Sequence, residues 1–387
     1  MKTGLVSPGE GRRISGGRRL PAPAAGAAFT LIELLVVLGV MTILLGISIG
    51  VYFGFVRAVA IQAETGAVIA VIQSARNTAI DESSETFVCF DAEQGQLYPF
   101  GRRKVGVWRF EAIDHTGASA LSYGAFGQAA ILVGGNAAVT DGRVGKALAC
   151  DGATHFACKL LRPPDWVNIP QYDAREGVGI EALVAPAPAA PGKMAVVSRD
   201  GWFALWLEHD ADKARFELHA YAVTLDKSGA GYLKWTASTE PVIRLNEWTH
   251  VRMGCHRLGE GVALYINGVS ASVVSGSASA SSPSAATQTF IAGAGGGDLF
   301  NGRIDEVIIS AYAVADVHRI SRKLRLRHSG LADGDTIRFD ASGKLTADHE
   351  GAPPQVILQE MKGTRVSSEV VITVRTMGAM DVQTTNK

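Results

Sequence analysis

The 387-residue sequence has no excess charge of either sign: 37 Lys and Arg are matched by 37 Asp and Glu. A balanced chain sets up no broad field to attract nucleic acid or an acidic polymer, so no nucleic-acid partner is expected. Cysteine is sparse. Cys89, Cys150, Cys158 and Cys255 form no CxxC pair and no Cys/His cluster at zinc spacing, which argues against a thiolate metal site. No GxxxxGKS or GxxxxGKT loop occurs, which excludes a P-loop motor, and the histidines show neither HExxH nor a triad pattern. The nearest candidate for a catalytic pair of carboxylates is Asp305-Glu306. A retaining glycosidase needs two carboxyl groups about 5–5.5 Å apart, whereas Asp305 and Glu306 are neighbours whose side chains point to opposite faces of a strand. No enzyme is expected.

Proline is absent from Phe29 to Tyr98, and this stretch opens with a long apolar run. Residues 29–49 suffice to cross a bilayer core of about 30 Å as a helix. They contain one carboxylate, Glu33, which is costly in lipid and calls for a function and a partner. Before the run lie Lys2, Arg12, Arg13, Arg18 and Arg19 against a single acid, Glu10. The positive-inside rule keeps this leader in the cytoplasm and exports the remainder of the chain through the inner membrane. After the span, Ile61, Val68, Val71, Ile72, Ala75 and Ala79 recur at helical spacing, which predicts one helix from Phe29 to about Asp81. An ordinary secretory signal has an apolar region of about 7–15 residues, shorter than this run. A plain anchor has no use for Glu33.

The order Ala28-Phe29-Thr30-Leu31-Ile32-Glu33 resembles the class III signal peptide of type IV prepilins and type II secretion pseudopilins. The resemblance implies that a prepilin peptidase cuts between Ala28 and Phe29 and methylates the new amino group of Phe29. Glu33 then becomes the fifth residue of the mature chain and meets the terminal amine of a neighbouring pseudopilin during filament assembly. The sequence departs from the family in having Ala28, where Gly is usual, with Gly26 two residues earlier. The order of helix and first strand, with Glu85-Thr86-Phe87-Val88-Cys89-Phe90 as that strand, resembles the general secretion pathway protein H/FimT family.

From Val105 to Arg322 short strands alternate with Gly-rich turns, a pattern that predicts a two-sheet sandwich. Asn267-Gly268 is a strong hairpin turn signal within it. Residues 186–192 and 270–287 are low in complexity and are expected as surface loops. Val107-Trp108-Arg109-Phe110, Gly142-Arg143-Val144-Gly145-Lys146, Asn246-Glu247-Trp248-Thr249-His250 and Phe300-Asn301-Gly302-Arg303-Ile304-Asp305 resemble, in that order, the laminin-G/concanavalin A-like jelly-roll superfamily. Further strands near 336–340, 355–358 and 369–374 resemble the closing strands of the protein H/FimT fold.

The expected fold is α+β: a long N-terminal transmembrane helix packed on a small antiparallel sheet, the pilin fold, with an inserted all-β jelly-roll sandwich. The expected parts are a leader (1–28), helix and first head strand (29–104), jelly roll (105–322) and closing strands (323–387). The resemblance implies a minor pseudopilin whose head, in the periplasm or on an extracellular filament, recognises a glycan or an exported protein. The alternative is an anchored, exported jelly-roll protein with a structural or adhesive role outside any filament. Trp202, Trp206, Tyr232 and Trp235 are candidates to stack on sugars or to pack the core. The superfamily resemblance implies a structural Ca²⁺, with Asp305 and Asp151 as candidate ligands and Asp114 as a further one. Cys150 and Cys158 flank a turn, Asp151-Gly152-Ala153-Thr154-His155, and are either paired across a hairpin or buried free thiols.

Overall fold

The computed structural model describes residues 30–111, 113, 119–124, 129–135, 138–158, 173–187, 192–210, 212–259, 261–286, 288–332, 335–346, 349 and 352–386. The chain divides into two compact units, residues 1–59 and 60–387. Ala28 and Phe29, the expected cleavage and methylation positions, and Asp114 lie outside the described residues.

One long helix, Leu31–Asp81, starts in the first unit and ends in the second. Thr30 caps it, accepting a hydrogen bond from Glu33 N at Oγ1 (3.3 Å). In the first unit its apolar side chains are exposed, Leu31 by 83%. Leu31–Phe53 is long and apolar enough to cross a membrane, a property shared by anchors and signal sequences.

In the second unit the helix has one buried stripe: Ile61, Val68, Ile72, Ala75 and Ala79, the residues that the 3.6-residue period picks out. The stripe shares a core with Val88, Leu97, Val356, Leu358, Val370 and Ile372. The last four come from a four-stranded antiparallel sheet, in the order Leu324–Ser329, Gln355–Lys362, Arg365–Val374, Met380–Asn386. Its first and last strands carry no clear sequence signal. Thr86 Oγ1 donates to Ala75 O (2.7 Å) and Arg76 Nε to Gly343 O (2.9 Å), tying the helix to its neighbours. Gly343 has φ 76°, and a Cβ there would stand 2.7 Å from Ile80 Cδ1, so this turn needs glycine twice over.

Two larger sheets, of 11 and 10 strands among the described residues, form the sandwich. The first runs in the order Val269–Ser270, Val262–Ile266, Thr249–His256, Asp173–Pro186, Asn301–Val314, Gln96–Trp108, Thr86–Asp91, Thr336–Phe339. The second includes Val273–Ser281, Tyr232–Thr239, Arg215–Leu225, Phe203–Asp210 and Lys193–Arg199 as consecutive neighbours. Alternation fixes which residues face inward: Thr249, Val251 and Met253 are buried while His250 and Arg252 are half-buried. Asn267 and Gly268 have φ 52° and 80°, as a type I′ hairpin turn requires.

Two expectations change. Residues 273–281, expected within a loop, form an edge strand paired to Tyr232–Thr239. Alternating small Ser and Ala suit an edge that nothing large must cover, and Ser277 Oγ lies 2.8 Å from Thr236 Oγ1 across the pair. The expected boundary at residue 105 falls within Gln96–Trp108. That strand pairs with Thr86–Asp91 along its start and with Asn301–Val314 from Phe100 to its end. The ladder is therefore unbroken from the jelly-roll strands to Thr86–Asp91 and Thr336–Phe339.

Five charged side chains cross this first sheet on its outer face. Glu85 accepts from Arg102 Nη1 (2.7 Å), Arg252 Nη2 (2.5 Å) and Arg338 Nη1 (3.4 Å). Glu181 accepts from Arg102 Nη2 (2.5 Å) and stands 3.8 Å from Arg252 Nε. Glu85 is 12% exposed. Burial raises its pKa, but Arg252, Arg102 and Arg338 outweigh burial and bring it from 4.5 down to about 2. A carboxyl group lowered in this way stabilises the fold fully above its unfolded pKa and loses that effect as pH falls through its folded one. We expect Glu85→Gln to destabilise the full chain by about 3 kcal/mol at pH 7 in urea unfolding followed by Trp fluorescence, since it leaves buried guanidiniums unpaired. The deficit should shrink as the pH is lowered from 4.5 towards 2. A deficit that is the same at both ends of that window would contradict the ion-pair account.

Candidate functional site

In the first unit the residue of interest is Glu33, in the first turn of the helix. A carboxylate is favoured at a helix N-terminus by the macrodipole. Among the described residues no cation pairs with it.

The second unit separates the four aromatic candidates. Trp202 is buried in the sandwich core, donates from Nε1 to Ser284 O (2.9 Å) and meets Tyr232 edge-on at 6.1 Å. Tyr232 and Trp235 are half-buried and pack against that core. Trp235 Nε1 donates to Thr224 Oγ1 (3.1 Å). Trp206 is placed differently. In Phe203–Asp210 the side chains of Phe203, Leu205 and Leu207 fill the core, so the period of two turns Trp206 and Glu208 to the outer face of the second sheet.

There Trp206 stacks on its cross-strand partner His219, with centroids 5.2 Å apart and planes 18° apart. Tyr221 stands edge-on to it at 6.2 Å. Lys193 Nζ lies 5.2 Å from the Trp206 ring and Lys234 Nζ 4.5 Å from the Tyr221 ring, so the aromatic faces are flanked by cations. Glu208 and Glu217 lie directly opposite each other, an unfavourable pairing of like charges for the fold alone. His219 Nε2 stands between them, 2.9 Å from Glu217 Oε2 and 3.7 Å from Glu208 Oε2. Trp206 Nε1 is buried and has no hydrogen-bond partner among the described residues. The arrangement offers a flat π surface beside carboxylate and ammonium groups, which suits a polyhydroxylated ring. The sequence reading missed His219, Tyr221, Glu208 and Glu217. Their signal was the alternation in Phe216-Glu217-Leu218-His219-Ala220-Tyr221-Ala222.

The candidate metal ligands do not come together. Asp151 caps its own turn, accepting at Oδ1 from Ala153 N (2.9 Å), Thr154 N (2.8 Å) and Thr154 Oγ1 (2.9 Å). Asp305 is buried and accepts from Glu306 N (2.7 Å) and Val144 N (3.4 Å). Burial raises its pKa to about 6, against the pull of those two amides. Among the described residues no three His, Cys, Asp or Glu side chains are placed to share an ion.

The expected hairpin between Cys150 and Cys158 does not form. Lys146–Asp151 pairs with strands of the first sheet and His155–Cys158 with strands of the second, because the turn at 151–154 carries the chain from one sheet to the other. Both side chains lie in the core, and neither they nor Cys89 and Cys255 form a disulfide. Burial raises the pKa of Cys89, Cys150 and Cys255.

Residues 165–316 match the concanavalin A-like lectin/glucanases superfamily (Laminin_G_3), and this part of the chain is a domain of that class. Among solved structures, the chain is similar to domain 4 of AbnA, a GH43 extracellular arabinanase from Geobacillus stearothermophilus, in complex with arabinotriose. The identity is 19% over 55% of this chain and 95% of that one, with a TM-score of 0.38. It is also similar to the carbohydrate-binding module CBM66 from Bacillus subtilis (10% identity, 47% and 92% covered, TM-score 0.23). A third is CBM40 of the Ruminococcus gnavus IT-sialidase, bound to α2,3 sialyllactose (10% identity, 41% and 85% covered, TM-score 0.26). No curated protein matches the chain.

Buried thiols with raised pKa values react slowly. We expect a maleimide to leave all four cysteines unmodified in the folded chain and to label all four after denaturation without reductant. Only two labelled after denaturation would show a disulfide instead.

Proposed function

We propose that the chain is a pilin-like filament subunit, anchored in the inner membrane by residues 29–49, whose jelly roll recognises a glycan outside the cytoplasm. The observation that carries the recognition reading is the outer face around Trp206. It combines a half-buried aromatic stack, opposed carboxylates that cost the fold stability, and an indole N–H without an acceptor among the described residues. A sugar ring supplies an apolar face for the stack and hydroxyls for the acids and the indole. Membership of residues 165–316 in a superfamily of lectins and glucanases supports the same reading.

The filament half rests on Glu33. A carboxylate within an otherwise apolar, exposed helix needs a counter-charge. The amine of Phe29 on a neighbouring subunit, freed by a prepilin peptidase after Ala28, is of the right charge. Ala28 in place of the usual Gly favours a second reading, in which the same jelly roll is displayed on a plain anchor outside any filament.

Intact mass and amino-terminal sequencing of the membrane-extracted chain, made with and without a prepilin peptidase, separate the two. The filament reading expects a chain that starts at singly methylated Phe29 only when the peptidase is present. An uncut chain, or one cut after the apolar run, would rule it out. For recognition, Trp206→Ala is expected to lower glycan-array binding about tenfold or more while changing stability by under about 1 kcal/mol, since the ring fills no core space. Unchanged glycan binding in that variant would exclude this face as the site.

A further inference from the structure

The balance of charge over the whole chain hides a local surplus. Residues 319–327 carry Arg319, Arg322, Lys323, Arg325 and Arg327 and no acid. Apolar residues hold this segment in place. Ile320 is buried and its N–H donates to Gly95 O (2.8 Å), while Leu326 is buried in the core that covers the helix stripe. Between them Leu324 N donates to Ser321 O (2.8 Å), closing a turn with Arg322 and Lys323 at its corner. In the strand that follows, Leu324–Ser329, alternation sends Leu326 inward and Arg325 and Arg327 outward.

Arg322, Lys323, Arg325 and Arg327 are exposed, and none of these side chains has an ion-pair or hydrogen-bond partner among the described residues. All four line a cleft of about 750 Å³ facing the turn Ala92–Gly95, in which Glu93 is the one acid among the described lining residues. Two acids on neighbouring strands and loops are engaged elsewhere: Glu360 Oε2 accepts from Ser367 Oγ (3.1 Å), and Asp335 Oδ2 stands 3.8 Å from His328 Nε2. Leu324–Ser329 is an edge strand of its sheet, and cations on an edge deter pairing with another sheet. That role accounts for Arg325 and Arg327 but not for Arg322 and Lys323, which precede the strand.

The segment is also fastened to the long helix. His318, the residue before it, places Nε2 2.7 Å from Glu64 Oε1. Glu64 follows Phe53, the end of the stretch able to cross a membrane, by eleven positions in the chain. Even fully extended, such a link reaches no further than about 40 Å. A bilayer that holds the apolar run is therefore presented to these cations at a high effective concentration.

We propose that Arg322, Lys323, Arg325 and Arg327 dock on the anionic phospholipid headgroups of the membrane that anchors the helix. Lys and Arg within a Debye length of such a surface are drawn to its phosphates, and a guanidinium grips phosphate oxygens through two parallel N–H groups. Nucleic acid offers the same phosphate chemistry, but nothing ties it to the chain as the helix ties the bilayer. The proposal rests on the membrane-anchor reading for its partner and on the segment alone for its charge. It is independent of recognition at Trp206.

The test uses the full chain reconstituted into vesicles of phosphatidylcholine alone or of an equal mixture with phosphatidylglycerol. Ser321→Cys, exposed at the turn, carries a maleimide fluorophore, and nitroxide-labelled headgroups report its approach by quenching. Quenching is expected to be about twofold or more stronger in the anionic vesicles and to fall to the neutral level at high salt. The same fall is expected when Arg325→Gln is combined with Arg327→Gln, and when Arg322→Gln is combined with Lys323→Gln. Equal quenching in the two kinds of vesicle would overturn the docking. An anionic preference that survives both double variants would overturn these cations as its source. Relief by duplex DNA, at an ionic strength where chloride has no effect, would assign the segment to nucleic acid and overturn the lipid. Relief by inorganic phosphate under the same condition would assign it to a small anion, with the same consequence. Failure of the chain to float with either kind of vesicle would overturn the anchor and the docking with it, whereas a chain that floats without the anionic preference overturns the docking alone.

Discussion

The second unit depends on Glu85. One carboxylate, placed where the long helix gives way to its first strand, holds arginines from strands Gln96–Trp108, Thr249–His256 and Thr336–Phe339. Burying it costs several kcal/mol unless each lone pair is used. Three guanidiniums use them, and Glu181 takes up part of the remaining positive charge. The contact fixes a register: these strands must lie in one sheet, in one order, for the five side chains to meet. Hydrophobic packing alone would tolerate more arrangements, because alternation specifies a face and not a neighbour.

With the core of the sandwich closed by apolar side chains, the two outer faces are left to differ. The second sheet turns out aromatic rings, acids and lysines around Trp206. The first turns out guanidiniums over aromatic rings: Arg252 on Tyr265, Arg102 on Tyr312, Arg338 on Phe87. On the first, the guanidiniums are tied up with Glu85 and Glu181. One jelly roll thus carries two chemically distinct surfaces.

Much of this was legible in the sequence because period alone decides it. The helix, its buried stripe from Ile61 to Ala79, the Asn267-Gly268 turn and the alternation at Thr249–His256 all follow from spacings of 3.6 or 2 residues. Long-range pairing was not legible. Thr86–Asp91 takes Thr336–Phe339 as its second neighbour across all the jelly-roll strands between them, and no local pattern encodes that choice. The same limit hid the partners of Glu85, which lie 17 to 253 residues away. It also made Cys150 and Cys158 resemble hairpin partners, since a turn that changes sheets has the same residues as one that reverses a strand. Among the aromatic candidates, sequence could not separate the buried Trp202 from the outward Trp206. Strand phase alone would put both on one face, four residues apart; Trp202 is buried because it lies in the turn before Phe203, where the alternation has not begun.

The separation of 253 residues between Glu85 and Arg338 also orders events in time. At roughly 5–20 residues per second of synthesis, Arg338 is made roughly 13–50 s after Glu85. Throughout that interval the strand after the helix has one free edge, and the helix stripe lacks most of the sheet that covers it. The jelly-roll strands between them can pair meanwhile, so the middle of the chain matures before its two ends join. For a newly made copy, the exposed helix stripe and open strand edge are the surfaces that need protection by a chaperone or by the membrane. The closing of Thr336–Phe339 onto Thr86–Asp91 is the step that ends that need.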